Sequence, residues 1–442
     1  MNIIFSTLFL VLVPLLVTQR RFKSLFILAM ISVMANEFYL QIFGSSRLLL
    51  ASYISLVVFP FIFPSFLAEL RTKRFSVVRA FFIEFLLLIS LALFFNFISP
   101  LEGAENTTSF NTGIAGRSIL GGIRIFSDFA LMVFIIFMFK NKIIDILFFA
   151  KTIFIITLVH IPVTIFDFIF HYPIKSLFIS DIYDSSRPHG FCHEPKGLGR
   201  LTFGAMLLFI SYALSDQTFR KELKYAIWVL GLLVLVSFSA SAFLAGIMTF
   251  LCILLLTTNI RNLSRTAIVM GVLAFVVFGL SKLGIFQEIT LKKIDFALGF
   301  ITRDKRPDEP AIFTFLEVFD RSAAYFFIKN PEYLFFGTGP NLVSIPATHY
   351  MSGYYSSFMD RADGLPQTVI YYISRSGLVG VAIFTNIFIN LRKKILLIDN
   401  KAMYNLLIGI YVFTAMNNQI WFMVYLGLIY SHIYYNSEKS LV

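Results

Sequence analysis

An all-α bundle of membrane-spanning helices is the fold class that this sequence predicts, and three observations carry the prediction. Hydrophobic residues make up 58% of the 442 and charged residues only 14%, whereas about a quarter of a soluble domain is charged. Mean hydropathy is +0.81. The apolar residues also come in continuous runs rather than in the alternation of an outer-membrane barrel, and a helix satisfies its own backbone inside lipid. Residues 1–442 therefore read as a single integral membrane domain, with no internal repeat and no low-complexity linker.

Spans fall near 2–18, 24–43, 48–67, 77–98, 122–139, 152–170, 198–215, 225–238, 240–258 and 266–283, and then, after a long interruption, near 366–390, 402–416 and 419–435. The count is about 13, with roughly 12–14 admissible. The ambiguity is local: Phe238-Ser-Ala-Ser-Ala242 and Met416-Asn-Asn-Gln419 read either as tight turns or as polar breaks. Residues 3–17 have the length of a signal-peptide core, but no positive charge precedes them, and Arg20, Arg21 and Lys23 follow. They read as a retained first span with its N-terminus outside.

The net charge of +12 follows the same topology. The connectors 19–23, 71–79, 140–151, 216–224, 259–265 and 391–401, with Lys439, hold 20 of the 37 Lys and Arg and alternate with charge-poor connectors. Positive charge stays on the cytoplasmic side during insertion, so these connectors and the C-terminus read as cytoplasmic, and no nucleic-acid partner is implied. Residues 140–151 mix Lys with Ile, Leu and Phe and read as a stretch lying along the interface. Of the two cysteines, Cys252 falls inside an apolar run and Cys192 in a polar cluster. No Cys/His spacing suits a metal, and neither metal nor cofactor is expected.

Three segments then face outward. Residues 99–121 are short and polar, with Arg117 and Arg124 near the following span. Residues 171–197 form an outward loop with a polar cluster, and 281–365 form the largest loop. Within that loop Asp308-Glu-Pro310 has the form of a helix start. Ile312, Phe315, Leu316, Phe319 and Phe326 recur at helical spacing, and Asn330-Pro331 ends the run, so an amphipathic helix is predicted.

Three polar elements stand out against this apolar background. In the first, Arg187, His189, His193, Glu194, Lys196 and Arg200 lie within 14 residues at the mouth of a span. The cations suit a diphosphate, and Glu194 or a His suits proton removal from a hydroxyl. The competing reading is an interfacial loop on lipid headgroups. In the second, Arg321 precedes Leu334-Phe-Phe-Gly-Thr-Gly-Pro-Asn341, whose Gly-Thr-Gly lets a backbone approach closely but lacks the third Gly and the βαβ unit of a dinucleotide site. In the third, residues 364–380, Gly377 and Gly380 suit close helix packing. Arg375 falls inside a span, where an unpaired Arg costs at least about 3 kcal/mol, so it must face a partner or a wet cavity. Glu37 and Glu84, also within spans, suit structural pairing, and His160 and Asp167 suit either role. Asn106-Thr-Thr108 matches a glycosylation acceptor by a pattern too short to weigh.

Together these elements resemble the O-antigen polymerase and O-antigen ligase superfamily of bacterial inner membranes. The resemblance rests on Arg-x-x-Gly-Phe-x-x-Glu-Pro at Arg187 to Pro195, on Arg321 ahead of Phe-Gly-x-Gly at Phe336–Gly339, and on Gly-Leu-x-Gly at Gly377–Gly380. It covers the organisation from about residue 180 to the end, and the order of the motifs carries more than any one of them. Two departures favour polymerase over ligase. Pro366 and Gln367 stand where ligases carry a His-Asn or similar pair, with His349 further upstream, and Ser239-Ala-Ser241 stands where ligase-like members have Ser-Arg.

The resemblance implies a GT-C-like, metal-independent glycosyltransferase with its site facing the periplasm. It would move a growing glycan from undecaprenyl diphosphate to a hydroxyl on the next lipid-linked repeat unit. Arg187 and Arg321 are expected to contact the diphosphate, with Arg375 reaching them from its span. Glu194 is the expected base, with His193 or His349 in reserve, and Arg117, Arg124, His189, Lys196, Arg200 and Arg361 are expected to bind substrate. Tyr350, Tyr354 and Tyr355 suit sugar stacking or an interface belt. Expected partners are the lipid-linked donor and acceptor, membrane lipid and a chain-length regulator. The alternatives are a ligase of the same superfamily, a lipid-linked oligosaccharide flippase and a structural membrane protein. The flippase is disfavoured by the absence of related halves and by the late, long loop.

Overall fold

Continuous apolar runs satisfy their backbone most simply as helices in an apolar setting, and almost every element among the described residues is accordingly a helix. The computed structural model describes residues 3–34, 39–43, 46–72, 76–97, 114–170, 188, 190–192, 195–215, 225–237, 239–257, 318–340, 342–343, 368–417 and 420–436. The helices are α1 (Ile3–Thr18), α2 (Phe22–Met34), α3 (Leu50–Thr72), α4 (Val77–Phe97), α5 (Ile114–Lys140), α6 (Ile146–Phe170) and α7 (Pro195–Ala213). They continue with α8 (Ala226–Val236), α9 (Ala240–Thr257), α10 (Val318–Lys329), α11 (Tyr333–Phe336), α12 (Val369–Leu397), α13 (Lys401–Met416) and α14 (Trp421–Ser431), the last running into a π-helical turn, His432–Asn436.

Among the described residues, four helical stretches are long and apolar enough to cross a membrane: Leu50–Arg71, Ser118–Lys140, Ile146–Asp167 and Val369–Leu397. Six shorter apolar helices accompany them. Their outward faces are hydrocarbon. Along α6, Ile155, Val159, Ile165 and Ile169 are 58%, 54%, 50% and 60% exposed, the inverse of a soluble surface. Pro14, Pro60, Pro64 and Pro162 lie inside helices, a placement that spanning helices tolerate.

One predicted span is shorter than its apolar run. The run 24–43 gives a helix only to Met34, and Tyr39–Phe43 pairs antiparallel with Ser46–Leu49 in a two-stranded hairpin. Tyr39, Ile42 and Phe43 favour extended backbone, and an apolar run alone does not distinguish a strand from a helix. Both ambiguous polar sequences are breaks between helices, α8 to α9 and α13 to α14. The helix of the long loop ends at Lys329, before Asn330-Pro331 as expected, and its proposed start at 308–317 lies outside the described residues.

The chain divides into two compact units. The first comprises Met1–Leu87, Ile119–Phe250 and Ala382–Val442. Helix α7 lies at its centre, packed on α2, α6, α8, α13 and α14. Gly204 makes the close approach possible, because a Cβ there would overlap the Trp421 ring. Trp421 is fully buried; its Nε1–H donates to the Leu201 carbonyl at 3.0 Å, and it stacks on Tyr425, whose hydroxyl donates to the Gly204 carbonyl at 2.9 Å. Buried Glu69 joins three other elements of this unit. Its carboxylate accepts from the hydroxyls of Tyr430 and Tyr435 and, at 3.1 Å, from Lys140. The second unit comprises Leu88–Ser118 and Leu251–Val381.

Gly204→Ala is expected to cost about 1–3 kcal/mol by overpacking and to lower the melting midpoint of the detergent-purified protein. Trp421→Leu in the same chain should recover part of that loss. Gly122→Ala, with nothing within 4 Å of the added carbon, should leave the midpoint unchanged or higher.

Candidate functional site

Two of the three polar elements singled out in the sequence meet in the second unit. Helix α10 presents Ala323, Phe326 and Phe327 to a small core with Val343, against which Tyr333, Leu334, Ile370 and Ile373 pack. Beside that core, buried Asp320 accepts from the Thr368 amide at 3.0 Å and from its hydroxyl at 2.6 Å. Thr368 immediately precedes α12, so this carboxylate fixes where the helix begins relative to α10.

Eight residues into α12 the helix breaks. Gly377 has φ +62° and ψ −162°, a left-handed conformation that favours glycine. Carbonyls ahead of such a break lose their helical donors. The Ser374 carbonyl accepts instead from Thr338, whose amide lies at 2.8 Å and whose hydroxyl lies at 3.1 Å. The contact is backbone on backbone. A Cβ on Gly337 would lie 2.6 Å from the Ser374 oxygen, and one on Gly377 would collide with the Phe335 carbonyl. The Gly-Thr-Gly turn and the Ser-Arg-Ser-Gly bend are thus two halves of one joint.

Both arginines predicted on these elements are buried in this unit, Arg321 at 6% exposure and Arg375 at 4%. The Arg375 guanidinium lies over the Tyr371 and Tyr372 rings, 5.9 and 5.4 Å from their centroids. Such cation–π placement holds the charge among apolar groups. In a water-poor setting, fixed guanidinium groups bind anionic oxygens through strong, charge-assisted hydrogen bonds.

The first unit holds the described part of the third element. The Gly190 amide donates to Asp167 Oδ2 at 2.9 Å. Gly190 has φ +56°, and a Cβ there would lie 3.0 Å from Thr164 Oγ1 and 3.2 Å from His160 Nδ1. Phe191 stands edge-on to His160, with ring centroids 5.2 Å apart, and the Cys192 thiol donates to the Met34 carbonyl at 3.6 Å. Asp167, open to either role on sequence, therefore anchors the turn that leads into α7. Arg200 is buried at 5% exposure in the first turns of α7. Its neighbour Gly199 is packed so closely on the α8–α9 break that a Cβ would lie 2.6 Å from Ser237 Oγ and 2.8 Å from Ser239 Cβ.

Arg124 lies exposed on α5, while Arg117 and Lys196 fall on α5 and α7 with side chains outside the described set. Arg187, His189, His193, Glu194, His349 and Arg361 lie outside the described residues, as do Glu37, Tyr350, Tyr354 and Tyr355. Glu84 is buried on α4. Among the described residues no group of three or more His, Cys, Asp or Glu is placed to hold a metal. Sequence reasoning missed Asp320, which fixes the start of α12, and Thr338, which closes the joint. The available signals were an aspartate directly ahead of Arg321 and a hydroxyl between the two turn glycines.

These features define a helical protein with helices long and apolar enough to cross a membrane and with a buried arginine on each of two elements that a backbone joint links. No protein-family model matches the chain, and neither does any curated protein.

Gly377→Ala is expected to unlock the joint, read as new trypsin cleavage after Arg321 in the purified protein. Thr338→Val removes one hydrogen bond and keeps the backbone one. It should cost only about 0.5–1.5 kcal/mol in thermal denaturation and leave Arg321 protected.

Proposed function

We propose that this chain is a surface-polysaccharide polymerase of the O-antigen type, acting on the periplasmic face of a bacterial inner membrane. Its N-terminus is periplasmic and its C-terminus cytoplasmic, and about 13 spans build a GT-C-like bundle. The observation that carries this reading is the joint between residues 335–338 and 374–377, which links two separate sequence elements of the resemblance, each of which carries a buried arginine, Arg321 on one and Arg375 on the other.

The chemistry follows from the substrates. The donor is a glycan on undecaprenyl diphosphate, and the acceptor is a hydroxyl of the next lipid-linked repeat unit. The leaving diphosphate needs its developing charge neutralised, and preorganised cations in a water-poor site do this without reorganising during reaction. Arg321 and Arg187 contact the diphosphate, with Arg375 behind them. The acceptor hydroxyl needs a base within hydrogen-bond reach, and Glu194 supplies it, with His193 or His349 as the alternative. Arg117, Arg124, His189, Lys196, Arg200 and Arg361 complete the cationic surroundings, and a chain-length regulator sets where elongation stops.

Deleting the gene in its native host and displaying the lipopolysaccharide on a gel tests the activity. Core carrying a single repeat unit supports polymerisation. Bare core with polymer accumulating on undecaprenyl diphosphate would instead identify a ligase, and bare core without periplasmic polymer a flippase or an earlier step. Complementation then tests the residues. Arg321→Ala and Arg375→Ala should each lower polymerisation by about 10²–10³-fold, the usual loss for one fixed charge-stabilising donor, at wild-type protein levels. Unchanged long chains from either variant would remove that residue from the site.

A further inference from the structure

Two rungs tie the segment 320–338 to α12 in the second unit, and they lie at different heights. Asp320 accepts from the Thr368 amide and hydroxyl at the start of α12, and the Thr338 amide donates to the Ser374 carbonyl six positions further on. At 1.5 Å per residue the second rung lies about 9 Å further along the helix. The chain therefore descends beside α12 as far as Thr338. It then returns, because Val343 belongs to the core that Ala323, Phe326 and Phe327 of α10 form.

The lower rung lies at hydrocarbon depth. Helix α12 is long and apolar enough to cross a membrane, and Arg392-Lys393-Lys394 closes its apolar run. A helix crosses hydrocarbon with roughly 20 residues, so the crossing stretch that ends at Leu391 begins near Tyr372. Ser374 and Gly377 fall inside it, and the turn packed on their backbone shares their depth.

The surface of 329–340 changes character along this descent. Lys329, Pro331 and Glu332 are exposed. Phe335 and Phe336 follow at 62% and 51% exposure, and Gly337, Thr338, Gly339 and Pro340 are buried. A segment dipping into a bilayer requires this order. Charged groups reach for the headgroups, exposed phenyl rings suit acyl chains, and irregular backbone at hydrocarbon depth is tolerated where protein covers it. The covered turn also settles its amides. Gly337 donates to the Tyr333 carbonyl at 2.8 Å, Thr338 donates to Ser374, and Pro340 has no amide to settle.

We propose that residues 331–340 form a re-entrant wedge in the leaflet where α12 begins, with Phe335 and Phe336 against acyl chains and Lys329 and Glu332 at the headgroups. Bilayer lipid is the partner of this apolar face, because the face is fastened to a helix at a depth where lipid surrounds it. The wedge rests on α12 crossing the bilayer and is independent of the polymerase reading.

Spin-label accessibility in the full-length protein provides the test. A background of Cys192→Ser and Cys252→Ser receives one cysteine at a time, by Lys329→Cys, Glu332→Cys, Phe335→Cys, Phe336→Cys or Ala382→Cys. Each is labelled with a nitroxide in phosphatidylethanolamine and phosphatidylglycerol vesicles. Relaxation by oxygen, which partitions into hydrocarbon, is compared with relaxation by a nickel chelate, which stays in water. Ala382, exposed near the middle of the crossing stretch, marks lipid. Positions 335 and 336 are expected to match it in oxygen-dominated relaxation, and positions 329 and 332 to be nickel-dominated. Nickel-dominated relaxation at 335 and 336, with 382 still in lipid, would place the face in water, open to a protein partner, and overturn the wedge. Nickel-dominated relaxation at 382 would take α12 out of the bilayer and the proposal with it. The unsubstituted protein gives a second reading. A phospholipid with a diazirine on one acyl chain should label Phe335 and Phe336 on illumination, and label on exposed Ile155 and Val159 of α6 without label there would equally overturn the wedge.

Discussion

Helices that are hydrocarbon both inside and on their outward faces leave little water to settle polar groups, and this constraint governs the irregular features among the described residues. Helix interiors settle themselves. Breaks, caps and ionisable side chains must find partners within the protein, and the structure is organised around those pairings. Ser374 loses its helical donor at Gly377 and takes Thr338. Asp167 takes the amide of a left-handed glycine. Glu69 collects two phenols and an ammonium from the ends of other helices. Each such pairing fixes a relative position that apolar packing alone, which tolerates sliding of similar side chains, leaves loose.

The joint at Gly377 shows how this constraint produces a site. A helix break in an apolar setting is expensive unless capped, and its cap here comes from a turn that brings α10 and the core beneath it into fixed register with α12. Arg321 and Arg375 are buried at the same time, since the elements that carry them share that core. Burying a guanidinium is costly unless its charge is used or matched. The tyrosines beneath Arg375 supply part of that compensation.

Much of this was legible in residue order. Arg375 is conspicuous because a cation inside an apolar run demands a reason, and the Gly-Thr-Gly turn at Gly337 because glycine lets a backbone approach closely; Gly377 was expected to serve helix packing and instead breaks the helix. Asn330-Pro331 stops α10 where a proline must. What was not legible was partnership. Nothing in the local sequence says that Thr338 faces Ser374, 36 residues away, or that Asp320 serves Thr368, 48 residues away. Asp167 and His160 lie seven residues apart on one helix and looked equivalent. One is bonded to a loop amide and the other has, among the described residues, no hydrogen-bond partner for either ring nitrogen, and only the approach of a second segment separates them.

Sequence by itself determined the helical class, the stop of α10 at Asn330-Pro331 and the residue types that cannot rest in hydrocarbon, because each follows from local composition and backbone chemistry. It misjudged the run 24–43, where a hairpin replaces the end of a span, because hydrophobicity without periodicity fits a buried strand as well as a helix. Tertiary structure decided which polar group satisfies which, and therefore where charge is concentrated. Those outcomes depend on distances between segments far apart in the chain, and residue order does not encode such distances until the segments have packed.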